Sequence, residues 1–583
     1  AIKMKKSNKK GFTIVELVIV IAVIAILAAV LIPTFSGLVK KANLSSDMQA
    51  VREMNVALKN DEVKNGKAEN ITQAMQVVAN AGYDVKSWSP LTAGYQVYWY
   101  KTENRCILYN SKEAKVEYPK DFEALSLADP KVAENIYVYN QTFINATKVE
   151  LNPSNGTQQV TINGHDYTNG STLKSASSNY TNLVIAENTA TKKKAYNIKF
   201  DAALESAGDA EKEKAAKAAG DFVRAIFTQM NIGLVPTDSD VVIDAGTVID
   251  ISGDDWKPVK LFTGYFGSSD PSNPVVIDGL RLTNTTSYVD TYSLEGPSAT
   301  YYFSGFIGAV YGKATIENIT FKNVTIQTPA SDMKLLNPGA NNNTCGIIGG
   351  VVATPENREF DVTIKNVVVE NTCTVIGNSR AGGILGFIGG YTATAKRPVT
   401  INGKNIESNY IPAENSKVTL EGCKFYGTVK SAFDKSPYAT VGSMIGIAIR
   451  NKNTKITLTK CEATGKVIGT RTGGLIGELW SGVDVNITDC KSTATLEAVV
   501  CKSTAKGTII GQIFETEEQS LYTPSSYTID EATLSNSGYT SGTEFTIVGV
   551  VDASLIKSDI NNTKNTYKIG AESKTVSAKW TIQ

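Results

Sequence analysis

"VTIKNV", at Val362–Val367, is apolar at its first, third and sixth positions and polar between them. The spacing returns in "ATIENI" at Ala314, "VTLEGC" at Val418, "ITLTKC" at Ile456 and "VNITDC" at Val485, with a weaker "YTIDEA" at Tyr527. A period of two puts alternate side chains on one face of a strand, so each box is a strand with one buried face followed by a change of direction. The outward positions are Thr, Asn, Glu, Lys, Gly and Asp, and we expect no fixed pattern among them.

Working outward, each of the first five boxes is preceded by a shorter one. It runs "GFIG" (Gly305–Gly308), "GIIG" (Gly346–Gly349), "GILG" (Gly383–Gly386), "SMIG" (Ser443–Gly446) and "GLIG" (Gly474–Gly477), and "TIIG" (Thr508–Gly511) follows. Successive copies start 41, 37, 60, 31 and 34 residues apart, so a constant core carries loops of changing length. A unit this small cannot bury its own face, but stacked units bury one another. Glycine pairs allow tight corners or close backbone approach. The expectation is a right-handed parallel β-helix or related β-solenoid over 241–535, closed by a C-terminal β cap at 536–583. Ile316, Ile364, Leu420, Leu458 and Ile487 would form one interior ladder. The longest interruption, Phe387–Lys417, contains Tyr391 and Tyr410 among polar residues. Recognition concentrates on loops carried by rigid scaffolds, which makes these two tyrosines candidate binding residues.

The chain has seven cysteines. Cys423, Cys461 and Cys490 take the sixth position of the box, where Ile319 and Val367 stand in other copies. Cys345 precedes a glycine box, where Ser304 precedes another. These exchanges point to small buried side chains, and a disulfide remains an open alternative. With no CxxC and one histidine, His165 in the turn-like "NGHDY", no metal site is expected. Glu317, Glu421 and Asp489 alternate with Lys or Gly between repeats, as on a solvated face rather than a catalytic one. No nucleophile triad, phosphate loop or cofactor motif is present, so no enzyme activity and no cofactor are expected. Basic and acidic residues number 58 and 57, and no basic patch follows the leader, which gives nucleic-acid binding no support.

Upstream, 131–240 reads as β-rich, with a connecting or capping helix across Asp201–Met230. Within 60–130, Asn60–Gly66 is expected as a turn and Asn70 as the cap of a helix reaching Ala81. "YQVYWY" (Tyr95–Tyr100) and "RCILYN" (Arg105–Asn110) form a hairpin pattern. The N-terminus is of another kind. Ala1–Lys10 holds five lysines and no acid, and Leu17–Ile32 is an unbroken run of 16 apolar residues. A basic flank before such a run marks a membrane or export segment, although a bilayer needs about 20 residues. Glu16 stands at the entrance of this run and Pro33 at its exit. A carboxylate at mid-bilayer costs roughly 2.5–3.5 kcal/mol, less near an interface, and Pro33 can bend a helix. Leu44, Met48, Val51, Met54 and Leu58 continue as a one-sided stripe, so a helix across 12–59 would be about 70 Å long.

The order basic leader, Gly11, Phe12-Thr13, Glu16, apolar helix resembles the type IV pilin N-terminus. The resemblance implies that a membrane-embedded prepilin peptidase cuts between Gly11 and Phe12, removing 1–11, and that Phe12 is then N-methylated. Glu16 would pair with the N-terminal ammonium of a neighbouring subunit as helices pack in a filament, and Pro33 falls where the family has its proline. Residues 60–130 resemble small pilin heads. The boxes resemble the GLUG-type repeats of bacterial surface and adhesin-like proteins, with "WKPVKLFTGYFGSS" (Trp256–Ser269) as a partial match to their lead-in. Together these imply an α+β pilin module, a long apolar helix with a small β head, followed by a mostly-β solenoid. The implied role is a large minor or tip subunit of a type IV pilus that attaches to surfaces, glycans or cells. Its partners would be other pilin subunits and the peptidase, and it would sit in the cell membrane before assembly and on the extracellular pilus after it. A pseudopilin of a secretion or DNA-uptake system, or a carbohydrate-active β-helix enzyme, is the alternative.

Overall fold

A computed structural model describes residues 14–68, 71–83, 88–125, 136–139, 159–253, 256–283, 292–295, 300–327, 342–432, 439–499, 504–515, 525–540, 545–553, 567–569 and 579–582, apart from 111, 112, 114, 123, 163, 164, 176, 232, 234, 355, 356, 402 and 403. The chain divides into two compact units, one of 1–126 with 135–144 and one of 127–134 with 145–583.

In the first unit, helix α1 (Ile14–Asn65) runs unbroken for 52 residues. The turn expected at Asn60–Gly66 is therefore helix as far as Asn65. Leu58 is still buried there and Glu62 still receives the side-chain amide of Asn104, so the last turns keep partners. Gly66, at φ 85°, ends the helix by donating its N–H to the Glu62 carbonyl. Helix α2 (Ile71–Asn80) follows, and the capping position Asn70 lies outside the described residues. Strands β1 (Tyr95–Tyr100), β2 (Arg105–Asn110) and β3 (Lys115–Tyr118) form an antiparallel sheet, and β4 (Ile136–Tyr139) joins its other edge against β1. Buried Asp47 of α1 accepts from the backbone N–H of Leu91 and Thr92 and from the Thr92 hydroxyl, tying the loop before β1 to the helix.

In the second unit, four antiparallel strands come first: Gln159–Ile162, His165–Lys174, Thr181–Asn188 and Lys194–Phe200. His165 begins the second of these, and its side chain lies outside the described residues. Helix α3 (Asp209–Asn231) follows. Beyond it the chain visits four parallel sheets in a fixed order. One circuit runs through Arg380–Gly382 (sheet IV), Leu385–Gly389 (sheet II), Lys417–Glu421 (sheet I) and Thr428–Ser431 (sheet III). The next runs through Thr440–Gly442, Ile445–Ile449, Thr454–Thr459 and Lys466–Gly469, each strand pairing in parallel with its counterpart. We call one circuit a rung.

The boxes fix this arrangement. Ile316, Ile364, Leu420, Leu458 and Ile487 are in-register partners on successive sheet I strands, and all are buried. The sixth position turns inward because the fifth is left-handed: φ is 58° at Asn318, 49° at Asn366, 62° at Gly422, 54° at Lys460 and 51° at Asp489. Asn tolerates this region better than most residues. Asn366 also donates its side-chain amide to Asn318 Oδ1 at 2.9 Å. In the sixth sequence copy the strand stops at Ile529, and Asp530 instead caps helix α4 (Glu531–Asn536). One expectation fails on the outward face. Its second position forms the in-register column Thr315, Thr363, Thr419, Thr457, Asn486 and Thr528, a pattern hidden when all outward positions are pooled. β-Branched side chains suit such a pleated, half-buried surface.

The last glycine of the first box is a close-approach position. A Cβ at Gly349, Gly386, Gly446, Gly477 or Gly511 would lie 2.4–2.6 Å from the carbonyl oxygen of the glycine one rung earlier. The first position of that box accepts Ser443 and Thr508. Helix α3 packs on the strand Val248–Asp250, and its Phe227 ring meets Trp256, Phe266 and Phe306 at 5.3–5.6 Å. Trp256, in the partial lead-in, stacks on Phe306 at 5.0 Å and donates its indole N–H to the Phe306 carbonyl.

Cys106, Cys345, Cys373, Cys423, Cys461 and Cys490 are free and buried, and Cys501 lies outside the described residues. Burial pushes the Cys106 thiol up to about 12 and Cys373 up to about 11. Cys490 is pushed up first by its hydrogen bond with the Cys461 thiol and then by burial. Protonated buried thiols are poor nucleophiles.

Candidate functional site

The processing residues Gly11 and Phe12 lie outside the described residues. Glu16 and Pro33 fall within α1, with side chains outside the described set. Of the side chains that are described along this stretch, Ile14, Val18, Ile19, Ile21 and Val23 are exposed. Exposed apolar side chains such as these favour another apolar surface or medium. Among the described residues no helix is long and apolar enough to cross a membrane.

The interruption at Phe387–Lys417 is largely a β-hairpin rather than a loop. Tyr391–Ile401 pairs antiparallel with Lys404–Ile411, starting at Tyr391 opposite Ile411. Its two ends meet at one atom, since the Arg450 carbonyl accepts the N–H of Gly390 and that of Ala413, both at 2.9 Å. The two candidate tyrosines part company here. Tyr391 is 4% exposed and packs with Ile411 over Phe303, Val352, Phe387, Ile447 and Ile449. The outward side chains of sheet II are apolar on these rungs, and the root of the hairpin is what covers them. Tyr410 is 49% exposed, with the Arg450 guanidinium carbon 5.1 Å from its ring centre. That distance suits a cation–π contact.

One and two rungs further, sheet II carries polar and aromatic residues that the sequence reading passed over. Glu478, 2% exposed, follows Phe387 and Ile447 in the outward row, and Gln512 comes next. Its carboxylate accepts from Arg471 Nη1 at 3.1 and 3.2 Å, from Thr440 Oγ1 at 2.7 Å and from Trp480 Nε1 at 2.7 Å. A buried carboxylate needs such complete compensation to be tolerated. Trp480 and its in-register partner Phe514 are half-buried, with ring centres 4.5 Å apart. A signal was available: after "GLIG" the strand continues with the charged Glu478, where the other copies have Ala309, Gly350, Phe387, Ile447 and Gln512.

The acids considered earlier are in ordinary pairings. Glu317 accepts from the Tyr265 hydroxyl at 3.0 Å, Glu421 pairs with Lys365 at 3.1 Å, and the Asp489 carboxylate accepts from the Asn536 side-chain amide at 3.3 Å. A cavity of about 500 Å³ beside Ala202–Ser206 holds Asp201 and Asp244, which accept the backbone N–H of Ala203 and Phe200. Among the described residues no group of three or more His, Cys, Asp or Glu is placed to hold a metal ion.

Comparison with known proteins bears on the N-terminal segment. The prokaryotic N-terminal methylation motif matches residues 6–32, a span that contains Gly11, Phe12 and Glu16. The chain is 52% identical over 56 residues to the type IV wide pilus major component PilA4 of Thermus thermophilus, 10% of this chain and 40% of that protein. It is 38% identical over 64 residues to the type IV major fimbrial protein FimA of Dichelobacter nodosus, 11% of this chain and 40% of that one. The chain thus spans well under half the length of the curated relatives it matches. No solved structure matches it. The N-terminal segment is thus similar to the N-terminal methylation motif and to proteins of type IV pili and fimbriae.

Proposed function

We propose that this chain is a large minor or tip subunit of a type IV pilus that displays a GLUG-like β-solenoid for attachment to surfaces, glycans or cells. In this reading 1–11 is the leader, 12–59 the filament helix, 60–130 the head, 131–240 an intermediate region, 241–535 the solenoid and 536–583 its cap. The observation that carries it is the methylation motif at residues 6–32, which takes in the start of an apolar helical stretch where Ile14, Val18, Ile19, Ile21 and Val23 are exposed. The four-sheet circuit supports the solenoid and a rigid display role. Phe12 would carry the new ammonium, Glu16 would pair with that of a neighbour, and Pro33 would bend the helix. An unpaired Glu16 among packed apolar helices would cost several kcal/mol, which makes the pair a register device during assembly.

N-terminal mass spectrometry of the native protein tests the reading. The expected mature end is N-methylated Phe12, and an end near Ala29 would sink it. Glu16→Ala should still insert in membranes yet enter filaments poorly, measured as its share in sheared filaments. Wild-type incorporation would remove the register role.

A further inference from the structure

The geometry points to a binding site for a small monovalent anion, such as chloride or formate, at the Arg380 guanidinium on the outward side of sheet IV. Such a site is independent of the attachment reading, because it needs neither a pilus nor a surface ligand.

Sheet IV brings one outward position into register on successive rungs. Thr344, Arg380, Thr440 and Arg471 are successive partners there. Ala381, the neighbour of Arg380 in the strand, belongs to the core on the opposite side. Both arginines are drawn into the protein: Arg380 is 7% exposed and the Arg471 side chain 11%. Arg471 has a counterion on its own rung, where sheet II sets Glu478 beside it at 3.1 Å. On the rung of Arg380 the same sheet II position is Phe387, and on the next it is Ile447. The carboxylate that completes the later pair has no equivalent at the earlier arginine.

The result is a buried charge without a partner. Arg380 Nε and Nη1 are shut off from solvent, and none of the described residues accepts a hydrogen bond from them. Arginine cannot shed its proton to escape the cost, and an uncompensated buried charge is strongly destabilising. Asn378 Oδ1 and Ser379 Oγ, just before it in the chain, are also buried and unpartnered. The Asn378 carbonyl could take one N–H, yet a neutral acceptor would leave the charge in place. Compensation therefore has to come from an anion.

Two features restrict that anion. Nε and Nη1 have no free space beside them, so the ion has to meet the edge of the residue that keeps the remaining 7% of its surface. A narrow opening admits a small ion and turns away a bulky one. In surroundings this dry the attraction is strong even when a single edge is touched. Only one positive charge is to be balanced, so a monovalent ion suffices, whereas a divalent one would leave a surplus negative charge near the protein interior.

Thermal melting of the full-length chain in detergent tests this, with chloride or formate titrated against gluconate at constant ionic strength. Gluconate is too large for the opening and serves as the inert anion. The melting temperature of the parallel-sheet unit should rise by about 2–4 °C along a saturating curve with either small anion. Arg380→Met, close in length and uncharged, should show no such rise, and in gluconate alone it should melt at or above the wild type. If Arg380→Met fails to fold, Arg380→Gln decides by the same comparison. Equal responses of the wild type and a folded variant overturn the inference, as does a wild type that does not distinguish the small anions from gluconate. A wild-type melting temperature that follows protein concentration and ignores chloride would place a carboxylate of a second copy at Arg380, and overturns it too.

Discussion

In the first unit, one long helix contributes Val51, Met54 and Leu58 to a buried set completed by Trp99, Ile107 and Leu108 from adjoining strands. In the second, each sheet I strand contributes a few side chains, and those on the next rung are near copies in register. The first unit draws its core from residues of varied shape on unlike elements, a helix and the strands beside it. The second draws it from residues a whole rung apart and of one shape. A fault in the first has few neighbours to share it, whereas a fault in the second is met above and below by the same packing. At its N-terminal end the second has helix α3, rather than another rung, against its core.

The largest expected effect attacks such an end. Phe227→Ala removes the ring that Trp256, Phe266 and Phe306 surround, and should cost about 3–5 kcal/mol. Denaturant unfolding followed in both units should show an earlier transition for the parallel sheets and an unchanged one for the N-terminal unit. If both transitions move together, the two cores are not separate and the contrast between them fails.

A middle-sized effect tests what sets the rung. Asn318→Ala should lose about 1–3 kcal/mol, because it removes a left-handed residue together with hydrogen bonds to Ser268 and Asn366. Asn318→Gly keeps the backbone conformation and should lose less. Equal losses in the melting temperatures of the two variants would mean that the side-chain bonds, and not the bend, hold the register.

The smallest effect is on the solvated face. Lys365→Ala breaks the pair with Glu421, whose side chains are 38% and 44% exposed, and should change stability by about 0–1 kcal/mol. That change should vanish in molar salt. A larger, salt-resistant loss would show that the outward face of sheet I shares in holding the rungs together.

The two regions also differ in how much the sequence discloses. Period-two boxes announce strands because the inward positions repeat, and Ile316 and its counterparts could be placed side by side from the sequence alone. The reason the sixth position turns inward was not visible, because Asn, Gly, Lys and Asp at the fifth share a backbone conformation and no side-chain chemistry. The end of α1 was misjudged for a related reason: Asn60–Gly66 is polar, and only the distant Asn104 shows what Glu62 does there. At the candidate site, Tyr391 and Tyr410 look alike in sequence. They separate only when sheet II supplies an apolar surface for one of them. Trp480 was passed over because it lies inside a repeat, where attention goes to what is constant.

The two hydrogen bonds at the Arg450 carbonyl have a further meaning. A chain that leaves at Gly390 and returns at Ala413 to the same oxygen has no net displacement to make, so the rung is indifferent to what lies between. Closure entropy grows only slowly with length. The position is thus a socket, where segments of different size or composition could be exchanged during descent without retuning the scaffold. Attachment preference could then diversify quickly between close relatives while the glycine boxes beneath it stay fixed.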